Sequence, residues 1–147
     1  MSDRWVRFDT YERDVLTTTK RGFYAYKKVR VFVKDHGEMP GIATLWIPKG
    51  TRVKCYAGLL YRTPRGYGKC RAEQAKVVAI HVFKSWGTHG VKPQFGQSVA
   101  TARSQWDDEF RYYKGKIARP RGYFEETFST CGNGIHFYRT KREAFNH

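Results

Sequence analysis

Three runs of β-branched and aromatic residues limit what this chain can become. Residues 23–33 read Phe-Tyr-Ala-Tyr-Lys-Lys-Val-Arg-Val-Phe-Val, 42–47 read Ile-Ala-Thr-Leu-Trp-Ile, and 76–83 read Lys-Val-Val-Ala-Ile-His-Val-Phe. Such side chains suit the pleated, half-buried surface of a sheet. Their flanks carry turn chemistry: Asp35-His36-Gly37 follows the first run and Pro48-Lys49-Gly50 ends the second. Shorter strands are expected over 52–56 and 98–104, and a hairpin or bent strand over 110–118 around Lys114-Gly115. Residues 87–96 and 58–69 read as loops, and 123–128 fit no element clearly.

The last part of the chain has a different grammar. Cys131-Gly132-Asn133-Gly134 is a tight turn, because Gly and Asn tolerate positive φ. From Ile135 to Arg139 apolar and polar residues alternate, which places Ile135 and Phe137 on one face and His136 and Tyr138 on the other. Thr140-Lys141-Arg142-Glu143 then has the form of a capping box, with the Thr140 hydroxyl accepting from the Glu143 amide. A short helix to the C-terminus follows from it. The fold expected is α+β: a strand-rich single domain, mostly antiparallel sheet, closed by turn, strand and short helix. Cys131, Gly134, His136, Phe137, Thr140 and Glu143 are its structural closing motif. Residues 1–22 show no clear period and read as an N-terminal arm. Residues 23–147 form the globular body.

The chain has 147 residues, one domain's length, and 16% of them are aromatic. No run approaches the apolar length of a membrane span, and Met1-Ser2-Asp3-Arg4-Trp5 has no apolar signal region. The three cysteines, Cys55, Cys70 and Cys131, are few and odd in number. That count favours a reducing compartment and argues against a disulfide framework.

Charge is the strongest global signal. The formal net charge is +15, and residues 1–20 contribute nothing to it, with four basic and four acidic side chains. Between Met39 and Trp106 eleven Lys and Arg face a single acid, Glu73. A field this uneven attracts nucleic acid, anionic surfaces or acidic proteins. The candidate contact group is Arg52, Lys54, Arg62, Arg65, Tyr67, Lys69 and Arg71, much of it on a glycine-rich loop.

Candidate chemistry reads mostly as scaffold. Cys70, Cys131 and His136 are ligand types that zinc accepts, with His81 or His89 as a fourth, but they lack paired spacing. No metal and no cofactor is expected. Cys131 with His136 has the elements of a nucleophile and base, and reads as a structural pair in the closing turn. Asp107-Asp108-Glu109 reads as a polar turn, since neighbouring side chains on a strand point to opposite faces.

Four separated blocks carry a resemblance: residues 42–50, residues 69–80 beginning Lys-Cys-Arg-Ala, residues 110–115, and Cys131-Gly-Asn-Gly-Ile-His-Phe with Thr140 and Ala144. Together they resemble an uncharacterised domain of large DNA viruses and some phages, often found at the end of pentapeptide-repeat proteins. The resemblance implies a viral origin and an α+β fold, and it brings no activity. The closing block is also loosely similar to a piece of ADP-ribosyltransferase-type enzymes, through Gly134-Ile135-His136-Phe137, Thr140 and Ala144.

The leading expectation is therefore a non-enzymatic basic viral protein that binds an acidic partner. It would be a virion or capsid-associated structural or assembly component, with other viral proteins as partners. The arm 1–22 would dock on a neighbouring subunit. The alternatives are a nucleic-acid-binding regulator or host-takeover factor, and a transferase-like enzyme. The virion, or the cytoplasm or nucleus of a host cell, is the expected location.

Overall fold

The computed structural model describes residues 15–55, 69–87, 92–107, 109–120 and 134–146. Eleven strands and one helix occur among them: β1 (Val15–Thr18), β2 (Phe23–Val33), β3 (Gly37–Ile47), β4 (Arg52–Cys55), β5 (Cys70–Ala72), β6 (Ala75–Ser85), β7 (Gln94–Ser98), β8 (Thr101–Ser104), β9 (Arg111–Tyr113), β10 (Ile117–Ala118), β11 (Ile135–Phe137) and α1 (Lys141–Asn146). The strand-rich, antiparallel expectation matches what is seen. Helix amounts to six residues, so the fold lies nearer all-β than the label α+β implies.

The long β2–β3 hairpin is the frame. All eleven residues of each strand pair, from Phe23↔Ile47 to Val33↔Gly37. Asp35 at φ 70° and Gly37 at φ 78° turn the chain back, conformations that Asp and Gly accept most readily. Next to β3 lies β6, with its register stepping from Leu45↔Val77 to Thr44↔Ala79. Val78 is thus the extra residue of a β-bulge.

The larger sheet runs β10-β6-β3-β2-β8-β9, with β7 also on β6. Six strands at about 4.8 Å spacing, laid flat, would hold β10 and β9 about 24 Å apart. The chain from Tyr113 to Ile117 can reach only about 14 Å, and the Lys116 amide donates back to the Tyr113 carbonyl at 3.0 Å. The sheet must therefore curl strongly towards a barrel. A second sheet, β1-β4-β5-β11, packs against it. The strand β11 joins the two, because Tyr138 exchanges two backbone hydrogen bonds of 2.8 Å with Tyr26 of β2.

The core fills the space between the sheets, with Phe137, Leu45, Ile47, Ile80, Val53 and Ile135 among its fully buried side chains. One position breaks the pattern. On β2 the core-facing row is Phe23, Ala25, Lys27, Val29 and Val31, and all but Lys27 are buried hydrophobics. Burial, and then repulsion from Lys69, pulls the Lys27 ammonium from 10.5 down to about 8. Tyr112 is likewise buried, and desolvation followed by the Asp107 charge pushes its phenol far up.

The helix α1 covers part of the outer face of the larger sheet. Ala144 packs with Ile42 and Tyr138, beside Tyr26 and Phe95. Phe145 stacks on Phe83 at 4.7 Å, with Trp86 and Phe95 set edgewise at 5.5 and 5.4 Å. The Lys28 ammonium sits 4.6 Å from the Phe145 ring centre.

Three expectations are corrected. Residues 94–98, expected within and just after a loop, form β7, because Phe95 finds a cross-strand partner in Phe83. The segment 110–118 turns at Gly115 (φ 85°), yet its two strands do not pair with each other. Instead β9 joins β8 and β10 joins β6, since the turn bridges the two edges of the curled sheet. Cys55 and Cys70 form a disulfide, contrary to the expectation of unpaired thiols. They stand directly opposite each other on β4 and β5, a register that a cysteine count does not reveal.

Candidate functional site

Four residues of the expected contact group, Arg52, Lys54, Lys69 and Arg71, fall among the described residues, and their exposure differs. Arg52 is exposed at the start of β4 and is held by Glu73, whose carboxylate accepts from the Arg52 amide at 2.7 Å and from Nε at 3.3 Å. Lys69 is half-buried. Lys54 and Arg71 are only 3% and 2% exposed and are engaged by other groups of the protein. They are neighbours in one row across the smaller sheet, Lys54↔Arg71↔His136, on the face opposite the core residues Val53, Ala72 and Ile135. A side chain so buried presents little charge to a large polyanion. Arg62, Arg65 and Tyr67 lie outside the described residues, as do Cys131, His89, Asp108 and 1–14 of the arm. Val15–Thr18, within the expected arm, is β1 and pairs with β4.

From Gly134 onward the closing motif forms as a unit. Ile135 and Phe137 are buried in the main core, His136 is half-buried on the other face, and Tyr138 is buried under α1. The Phe137 ring meets Phe23 at 5.8 Å, and the Arg139 guanidinium lies 4.6 Å from the centre of the Phe23 ring. Gly134 has φ 151°, and a Cβ there would stand 2.9 Å from the Arg71 Cβ. Thr140 caps α1: its hydroxyl accepts from the Glu143 amide at 3.1 Å and donates to the Glu143 carboxylate at 3.2 Å. Thr140→Ala should therefore cost about 1 kcal/mol in chemical denaturation. A loss far above about 2 kcal/mol, the top of the capping range, would show that Thr140 does more than cap.

As a disulfide sulfur, Cys70 is not available as the thiolate that zinc requires. Among the described residues no three His, Cys, Asp or Glu converge on a metal position. No described helix is long and apolar enough to cross a membrane.

What the registers bring together is different. Tyr24 pairs with Trp46, Trp46 with Lys76, and Lys76 with Ile117. These four side chains form one continuous row over four strands, on the outer face that α1 leaves uncovered. Tyr24 is 53% exposed and Ile117 50%. The Tyr24 ring meets Trp46 edgewise at 4.8 Å. Gly22 makes room for the indole, since a Cβ at that position would fall 2.3 Å from Trp46 Cζ2.

A buried polar node fixes the turns that border this row. The Thr19 hydroxyl donates to the Pro48 carbonyl at 2.8 Å and accepts from the Thr51 amide at 3.0 Å. The Thr51 hydroxyl donates to the same carbonyl at 2.6 Å and accepts from Gln74 at 3.3 Å. Gln74 in turn accepts from Arg119 at 3.2 Å. Lys20, Arg21, Lys49, Lys76, Lys116 and Arg119 are all exposed around the row. Among the described residues of these turns and strand ends the one acid is Glu73, already occupied by Arg52. Sequence reasoning saw each of these strands but not the row, because nothing in a single strand says which residue its neighbour sets beside it.

No curated protein and no solved structure matches the chain. A family model does match, over residues 13–144, which is most of its length. By that match the chain belongs to the family of unknown function DUF5758.

Proposed function

We propose that this protein is a non-catalytic binding module that holds an acidic partner against its basic surface, as a virion or capsid-associated assembly component. The observation that carries this reading is the gathering of exposed cations at one end of the curled sheet, beside the exposed Tyr24 and Ile117. At the other end, charges of both signs meet: Glu38 takes Arg30 at 3.2 Å and Arg103 at 3.3 Å. Among the described residues this asymmetry focuses field on one region, which steers a polyanion to it. The sequence resemblance to domains of large DNA viruses supports the viral setting.

Heparin, a polyanion without bases, tests the charge reading. Log affinity should fall linearly with log salt, as cations on the protein displace condensed counterions. No measurable binding at about 50 mM salt, where such attraction is strong, would remove the reading. The assembly role has its own test, co-purification with virions. Detection in infected-cell extract alone, never in purified particles, would count against it.

A further inference from the structure

We propose that the row Tyr24–Trp46–Lys76–Ile117 is a stacking platform for single-stranded nucleic acid. This rests on the reading of a basic, polyanion-binding surface and names its ligand. The platform commits to single strands because its parts match what an unpaired strand offers. Bases present flat apolar faces, and phosphates present charge at regular intervals. The exposed Tyr24 ring, backed edgewise by the half-buried Trp46, accepts the first, and lysines beside and around it accept the second.

The geometry supplies both at the required spacing. Adjacent strands stand about 4.8 Å apart, so the four-residue row spans about 14 Å, room for two or three stacked or splayed bases. Tyr24 and Trp46 lie at one end, edge to face with ring centres 4.8 Å apart, so the exposed Tyr24 offers the stacking surface. Lys76 stands next to Trp46, and exposed Val78 adds apolar surface on the same strand. Lys20, Arg21 and Lys49 project from the turns at the Tyr24–Trp46 end, and Lys116 and Arg119 flank Ile117. The Thr19–Thr51–Gln74 node holds those turns in place, so the cations are set by the fold. A duplex hides its base faces, whereas an unpaired strand offers a base to the exposed Tyr24 ring and phosphates to the lysines around it. The charge complementarity and the rings together favour the unpaired strand.

Fluorescence anisotropy tests this with a labelled deoxythymidine oligonucleotide, its duplex of equal length, and heparin as the base-free control. The single strand should bind more tightly than the duplex. Tyr24→Ala should weaken single-strand binding by about 5- to 150-fold, the loss of one stacked base, and leave heparin affinity unchanged. Trp46→Phe, which keeps a ring over Gly22, should weaken it less than Trp46→Ala. Lys76→Ala should lower the salt slope by about one. Thermal melts of each variant separate lost binding from lost folding, and Tyr24, being exposed, is the variant that should melt as the parent does. Heparin binding with equal affinity for single strand and duplex, and no effect of Tyr24→Ala, overturns the platform and leaves the basic-surface reading standing. Heparin binding with no oligonucleotide binding does the same. Failure to bind any of the three overturns both. A shift in sedimentation of the parent that Tyr24→Ala abolishes, without oligonucleotide binding, assigns the row to a second copy of the chain and overturns the proposal.

Discussion

Phe137→Ala is expected to destabilise the protein by about 3–5 kcal/mol, the range for truncating a large aromatic in a core. Phe137 is fully buried and sits where the two sheets meet. Its backbone pairs with Cys70 of the smaller sheet, its ring meets Phe23 of the larger one, and the next residue, Tyr138, bridges to Tyr26. A void here would loosen a strand that ties the two sheets, so collapse around it is poor and the cost should fall in the upper half of the range. Urea denaturation of parent and variant at equal m-value would measure it. The ordering against Thr140→Ala is the sharper check. Phe137→Ala should cost several times more, because a cap offers one hydrogen bond while Phe137 fills the joint. Similar losses for the two would mean that β11 lies at the periphery.

How much of this was legible in the sequence depends on the range of each interaction. The long strands were read well: residues 23–33 form β2 as expected, and 76–83 lie inside β6. Alternation and β-branching are local signals, and on these strands they agree with burial. The strand and cap of the closing unit were read for the same reason, since they lie within a few residues of one another, while its turn at 131–133 lies outside the described residues. What failed was pairing. That β9 and β10 part company across Gly115, that Cys55 faces Cys70, and that Tyr24, Trp46, Lys76 and Ile117 share a row are all facts about register between distant segments. Lys54 and Arg71 show the same limit from the other side. Their charge reads as surface, yet they lie buried in a row with His136, because charge says nothing about which face of a sheet another segment covers. Lys27 is the converse of a legible core position: alternation places it inward, and burial there lowers the pKa of its ammonium.

Breaking the Cys55–Cys70 disulfide should have the other large effect. The bond closes a loop with a sequence separation of 15, for which the loss of chain entropy in the unfolded state is worth about 3 kcal/mol. Both cysteines are buried in the main core, so the bond also anchors β4 to β5 at the base of the basic segment between them. In a domain of this length such a loss should lower the melting temperature by about 6–12 °C. The double variant Cys55→Ala/Cys70→Ala is the cleaner test than reductant, because a buried bond is reached only after the sheet opens. Alkylation of unreduced protein in denaturant gives an independent count. With three cysteines in the chain and one pair bonded, one equivalent of label should add. Three equivalents, together with an unchanged melt for the double variant, would mean that the pair is a packed contact of two thiols. Run on protein taken from its native source, the same count tests the reducing compartment that the sparse cysteines led us to expect, since a disulfide that persists there belongs to an oxidising one.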